Sequence, residues 1–194
     1  MAAMLEKDHS VYGQAFASLI DEAELPPLDA GSNQAKTHSG LRNLTVGTAF
    51  EGRDVADREM ADACISGTLL LYGDLDRSHR ISQGLENPTG SFWHGIMHRR
   101  EGEFGNAKYW FRRTGDHPVG NDLAEAVAML IADRTEDPQY GKICAPGAWD
   151  PFAFVDLCEL EIGSGSVGET LCREIQMVEW RVLFDFSFLR AVNR

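Results

Sequence analysis

Wherever a hydrophobic pattern can be found in this chain it repeats every three to four residues, and no stretch alternates apolar and polar with β-branched residues on one face. A chain of this kind has to bury helical stripes against one another, so the reading is all-α: a single compact domain of seven or eight helices with a long N-terminal loop, over residues 1–194. The first helix is expected from Ser10 to about Glu24, stopped by Pro26-Pro27. Residues 26–53, rich in Gly, Ser, Asn and Thr, read as an ordered loop. Asp54 caps a helix to about Tyr72, and a shorter one runs from Asp74 or Asp76 to Gln83. Thr89 or Ser91 caps a helix through Arg100, and another covers Phe104 to Arg113. The helix opened by Asn121 or Asp122 is apolar on nearly all sides from Leu123 to Ala132, which predicts a central place in the core. Residues 135–148 are turn-rich. Asp150-Pro151 starts a helix to about Glu161, and the last helix runs from Val167 to about Val192.

Charge narrows the partners. The chain carries 30 acidic against 18 basic residues, a net of −12, which disfavours nucleic acid and anionic membranes because both require an electropositive footprint. No apolar run is long enough to span a bilayer, and Glu6, Lys7 and Asp8 stand where a signal peptide would place apolar residues, so the expected location is cytoplasmic. Cys64, Cys144, Cys158 and Cys172 are scattered with no C-x-x-C pair, which reads as reduced, mostly buried thiols. No G-x-S-x-G elbow occurs, and the Gly-rich stretch 163–168 lacks both a preceding strand and a P-loop lysine.

The charge is uneven. From Arg77 to Arg113 seven basic residues face three acidic ones, a net of +4, which leaves −16 for the remainder. A basic, aromatic and histidine-bearing island in an acidic chain has the composition of a pocket for a small anionic or carbohydrate-like molecule. At about 100° per residue, His94, His98 and Glu101 project from one helical face and could ligate one divalent metal, with Zn, Fe and Mn all accepting that donor set. A fourth ligand or a base would come from outside this helix. Glu179 is the first candidate, because it interrupts the apolar stripe Ile175, Val182, Phe186; His79 and His117 are further ones. Glu101 or Glu179 would act as catalytic base in a metal-assisted hydrolase or isomerase. Trp93, Arg100, Asn106, Lys108, Tyr109, Trp110, Arg112, Arg113 and His117 would line the ligand, with the arginines forking its anionic group.

The string Ser91-Phe92-Trp93-His94-Gly95-Ile96-Met97-His98-Arg99-Arg100-Glu101, followed by Asn106 to Arg113 and Asp116-His117-Pro118, resembles a family of uncharacterised microbial proteins. The resemblance implies a shared site region and carries no activity, substrate or cofactor. A different class of function rests on Trp180, Phe184 and Phe188, whose four-residue spacing suits a core stripe or the contact face of a homodimer, making the chain a non-catalytic interaction or oligomerisation module.

Overall fold

The computed structural model describes residues 8–31, 33, 38–134, 137–145 and 147–192. It is 68% helical and 2% strand, an all-α fold with eleven α-helices and one two-stranded sheet among the described residues. A 3₁₀ turn His9–Tyr12 leads through Gly13, at φ 86°, into α1 (Gln14–Asp21), so the single helix expected from Ser10 is broken where only glycine sits easily. The loop that follows contains two one-turn helices, α2 (Ser39–Arg42) and α3 (Val46–Ala49). Then come α4 (Arg58–Leu71), α5 (Leu75–Gln83), α6 (Pro88–Arg100) and α7 (Phe104–Thr114). After these lie α8 (Gly120–Ile131), α9 (Pro138–Ile143), the hairpin β1 (Cys144–Ala145) and β2 (Ala148–Trp149), α10 (Pro151–Glu161) and α11 (Val167–Ala191).

Local chemistry accounts for the boundaries. Asp57, not Asp54, caps α4, because its carboxylate accepts the Met60 N–H at 3.1 Å. Asn87 caps α6 by accepting from Gly90 at 2.8 Å, with Pro88 in the first turn where no amide donor is needed. Asp150 caps α10 with bonds to Phe152 and Ala153, as its Asp-Pro signal indicates. Helix α9 and the hairpin lie in the stretch expected as turns and are too short to show a period.

The centre of the molecule is α6, where the apolar pattern pointed instead to α8. Every residue of α6 from Thr89 to Arg100 is buried, and α4, α5 and α7 pack around it. By contrast α8 leaves Met129 57% exposed. A helix rich in Ser, His and Arg can be central only when each polar group finds a partner, which no periodicity reports. The aromatic face of α11 is core: Trp180, Phe184 and Phe188 are at most 3% exposed, with Trp180 and Phe184 stacked at 4.8 Å. That burial withdraws them from any contact with a second copy. No helix among the described residues is long and apolar enough to cross a membrane.

Close approach between α4 and α6 requires Gly67. A Cβ there would lie 2.7 Å from the ring of fully buried Trp93, and the Gly67 carbonyl accepts the Trp180 indole N–H at 2.7 Å. Gly67→Ala is therefore expected to cost about 1–3 kcal/mol in chemical denaturation. Gly105→Ala, on a helix with nothing near its Cβ, should instead stabilise by about 0.5–1 kcal/mol.

Candidate functional site

Two helices bring the site together. On α6, His94 and His98 stand one turn apart, and on α5, His79 and Ser82 stand three residues apart on the face turned toward them. The His79, His94 and His98 rings lie 4.6–5.3 Å apart between centroids, and one nitrogen from each falls within 4.8 Å of the others. Helix α7 closes the group: Trp110 packs on His94 at 4.1 Å between centroids, and Asn106 Nδ2 lies 3.1 Å from His98 Nε2.

With its hydrogen on the Ser78 carbonyl at 2.9 Å, Ser82 Oγ accepts at 2.8 Å from His94 Nδ1–H. His98 Nδ1 faces Glu101 at 2.9 Å and Glu103 at 3.2 Å, so it too is the donor. Both neutral rings then present their Nε2 lone pairs to each other, 2.9 Å apart. Burial, followed by the neighbouring His98 and His79, holds His94 down to about 3, and burial lowers His98 against the opposing pull of Glu101 and Glu103. Two acceptors facing each other in a buried place are an arrangement that a cation relieves.

The three residues expected to share one metal do not converge. His94 and Glu101 approach opposite nitrogens of His98, so Glu101 is the outer partner of that ring and His79 completes the inner group. His79 lies fifteen residues before His94, and only the packing of α5 on α6 brings them together. Ser82 joins for the same reason, and Glu103 through the turn at Gly102 that ends α6; neither shows in a local pattern.

A cleft of about 480 Å³ runs beside Glu101 and Glu103 and is also lined by Asn33, Asp76 and the backbone of Gly31 and Gly73. No lysine or arginine lines it among the described residues, so the basic island does not form its wall. Arg77 is taken by Asp74 and the Leu41 carbonyl, Arg80 by the Asp76 carbonyl, and Lys108 by Asp156 of α10. Arg112 sits over Phe152 and Arg113 over Trp110, both exposed, and Tyr109 is 47% exposed beside Trp110. Arg100 is buried and bonds backbone carbonyls, and Trp93 is buried with its indole N–H on Ser187. An acidic cleft disfavours the anionic ligand that the local charge count indicated.

Glu179 has a different role from the one expected of it. It is fully buried and forms a two-pronged ion pair with Arg99, at 3.2 and 2.5 Å, while the Arg99 guanidinium lies 4.5 Å over the Phe154 ring. Burial pushes the Glu179 carboxyl up and the Arg99 charge opposes it. This pair pins α6 to α11. Arg99→Met or Glu179→Leu alone should each cost about 3–5 kcal/mol, because the partner charge is stranded in the core. The double variant should be more stable than either single one, and equilibrium urea denaturation of the three variants checks this.

His117 lies at the other end of α6. Its Nε2–H meets Thr89 Oγ1 at 3.0 Å, its Nδ1 accepts the Val119 N–H at 3.3 Å, and Phe92 and Phe186 flank the ring. Burial holds it down to about 4. Its neutral ring therefore supports the fold fully above pH 6.5, and that support is lost as the pH falls from 6.5 towards 4, since the unfolded chain takes up the proton first. Denaturant titrations at pH 7, 5.5 and 4.5 should show a shallower acid loss for His117→Asn, which keeps an acceptor for Val119 and does not titrate.

Compared with known protein families, curated proteins and solved structures, the chain shows no significant match in any of the three.

Proposed function

We propose that the protein is a metal-dependent enzyme of hydrolase type, with one divalent cation, Zn, Fe or Mn, held by His79, His94 and His98. The observation that carries this reading is the pair of opposed Nε2 lone pairs, each fixed from behind by a bonded Nδ1–H. Carboxylate and hydroxyl partners behind ligating imidazoles set the tautomer that binds metal and hold the rings in place. Neighbouring nitrogens of a tetrahedral site stand about 3.4 Å apart, so a shift of about half an ångström from the 2.9 Å spacing accommodates the ion. Three neutral imidazoles leave such an ion its charge and an open position, from which it lowers the pKa of a bound water.

The chain's own residues supply the rest. Glu101 orients His98, and Ser82 orients His94. Glu103, steadied by Asn106 at 3.0 Å, stands with Glu101 on the Nδ1 side of His98 and lines the cleft, where it would accept a hydrogen bond from a substrate hydroxyl. Trp110 covers His94 and restricts solvent there. Asp76, Glu101 and Glu103 offer acceptors without a basic partner in the cleft wall, which suits a neutral, hydroxyl-bearing, carbohydrate-like substrate better than an anionic one.

Protein purified without chelator should carry one equivalent of metal by elemental analysis, and the stripped chain should bind Zn²⁺ or Mn²⁺ at one site by calorimetry. His79→Ala, His94→Ala and His98→Ala should each weaken that binding by more than about 100-fold, and Glu101→Gln by about 10–100-fold. A wild-type chain that takes up none of Zn, Fe or Mn would sink the proposal.

A further inference from the structure

Two adjacent arginines of α6 are buried, and they are balanced differently. Arg99 has the Glu179 carboxylate. Arg100, 2% exposed, donates from Nε to the Asp29 carbonyl at 3.2 Å and from Nη1 to the Leu70 carbonyl at 2.5 Å, and no carboxylate among the described residues lies within ion-pairing distance of it. Asp29 adds a distant attraction, but its carboxylate accepts the Gly31 N–H at 3.0 Å. A guanidinium so deeply buried with only carbonyl dipoles around it lacks its counter-charge.

The space beside it fits one. A cavity of about 110 Å³, the volume of a few water molecules at about 30 Å³ each, is bounded by Arg100, by Tyr72 and Gly73 after α4, by the 24–27 segment and by Arg173 of α11. Arg173 is half-buried and, among the described residues, also bonds backbone carbonyls alone, those of Pro26 at 3.1 Å and Leu25 at 2.5 Å. Glu24, the acidic residue of the described lining, is exposed. Two guanidiniums therefore border a polar space whose described lining holds no buried carboxylate.

We propose that this cavity binds one small oxyanion, a carboxylate or a phosphate-type group, between Arg100 and Arg173. The planar fork of each guanidinium matches such an oxygen pair, and Gly73, shared with the acidic cleft, makes the anion site a neighbour of that cleft and separate from it. The proposal stands independently of any metal at the histidines.

The test uses the full chain without added metal. Thermal denaturation and calorimetric titration are run with sodium phosphate and separately with sodium formate, each against sodium chloride at equal ionic strength. One anion is expected to bind at a single site and to raise the Tm by about 3–5 °C at ten times its Kd; a phosphate response selects a tetrahedral ligand and a formate response a carboxylate. Arg173→Gln, which can keep a carbonyl bond, should weaken binding by about tenfold or more, as should Arg100→Lys if it folds, while Arg42→Gln, at an exposed site outside the cavity lining, should not. The proposal is overturned if neither anion exceeds the chloride control, or if Arg173→Gln binds as the wild type does.

Discussion

The structure depends on burying a helix whose side chains include two histidines and two arginines. Leaving water costs each of these groups several kcal/mol unless a partner replaces the lost hydration. Each neighbour of α6 is placed to supply such a partner: α11 brings Glu179 to Arg99, α4 offers its last-turn carbonyl to Arg100, α5 brings Ser82 to His94, and α7 brings Asn106 to His98. The packing of the domain and the satisfaction of one polar helix are thus a single problem, and its solution sets where the remaining chemistry lies.

The two sides of α6 are built differently. Toward α11 the Arg99–Glu179 pair neutralises itself beneath the Phe154 ring, and that side is structural. Toward α5 the two imidazoles meet Nε2 to Nε2, with carboxylates behind one and an acidic cleft alongside, so the titratable groups of the core gather on that side.

Much of the helical framework was legible. The Asp-Pro start of α10 and the length of α11 follow from capping chemistry and period alone, and His94 and His98 share a face by helix geometry. The legible part ended where contacts between distant segments decide. The count of +4 over residues 77–113 suggested one anion pocket, yet those basic side chains are divided among Asp74, Asp156, Glu179, backbone carbonyls and the faces of Phe152 and Trp110, because a sum of charges says nothing about which ones face each other. Glu179 was recognisable as a buried carboxylate needing a cation; that its cation is Arg99 rather than a metal depends on the rotation of α6 against α11.

From its sequence alone this chain is all-α, with the start of α10 set by Asp150-Pro151 and its imidazoles of α6 on one face, since caps and periods act within a few residues. Only the tertiary structure decided that His79 rather than Glu101 completes the histidine group, that Trp180, Phe184 and Phe188 are core, and that the cleft is acidic. Those outcomes depend on which faces of α5, α7 and α11 meet α6, and that choice is made by the summed burial and pairing of many distant groups, which no local pattern encodes.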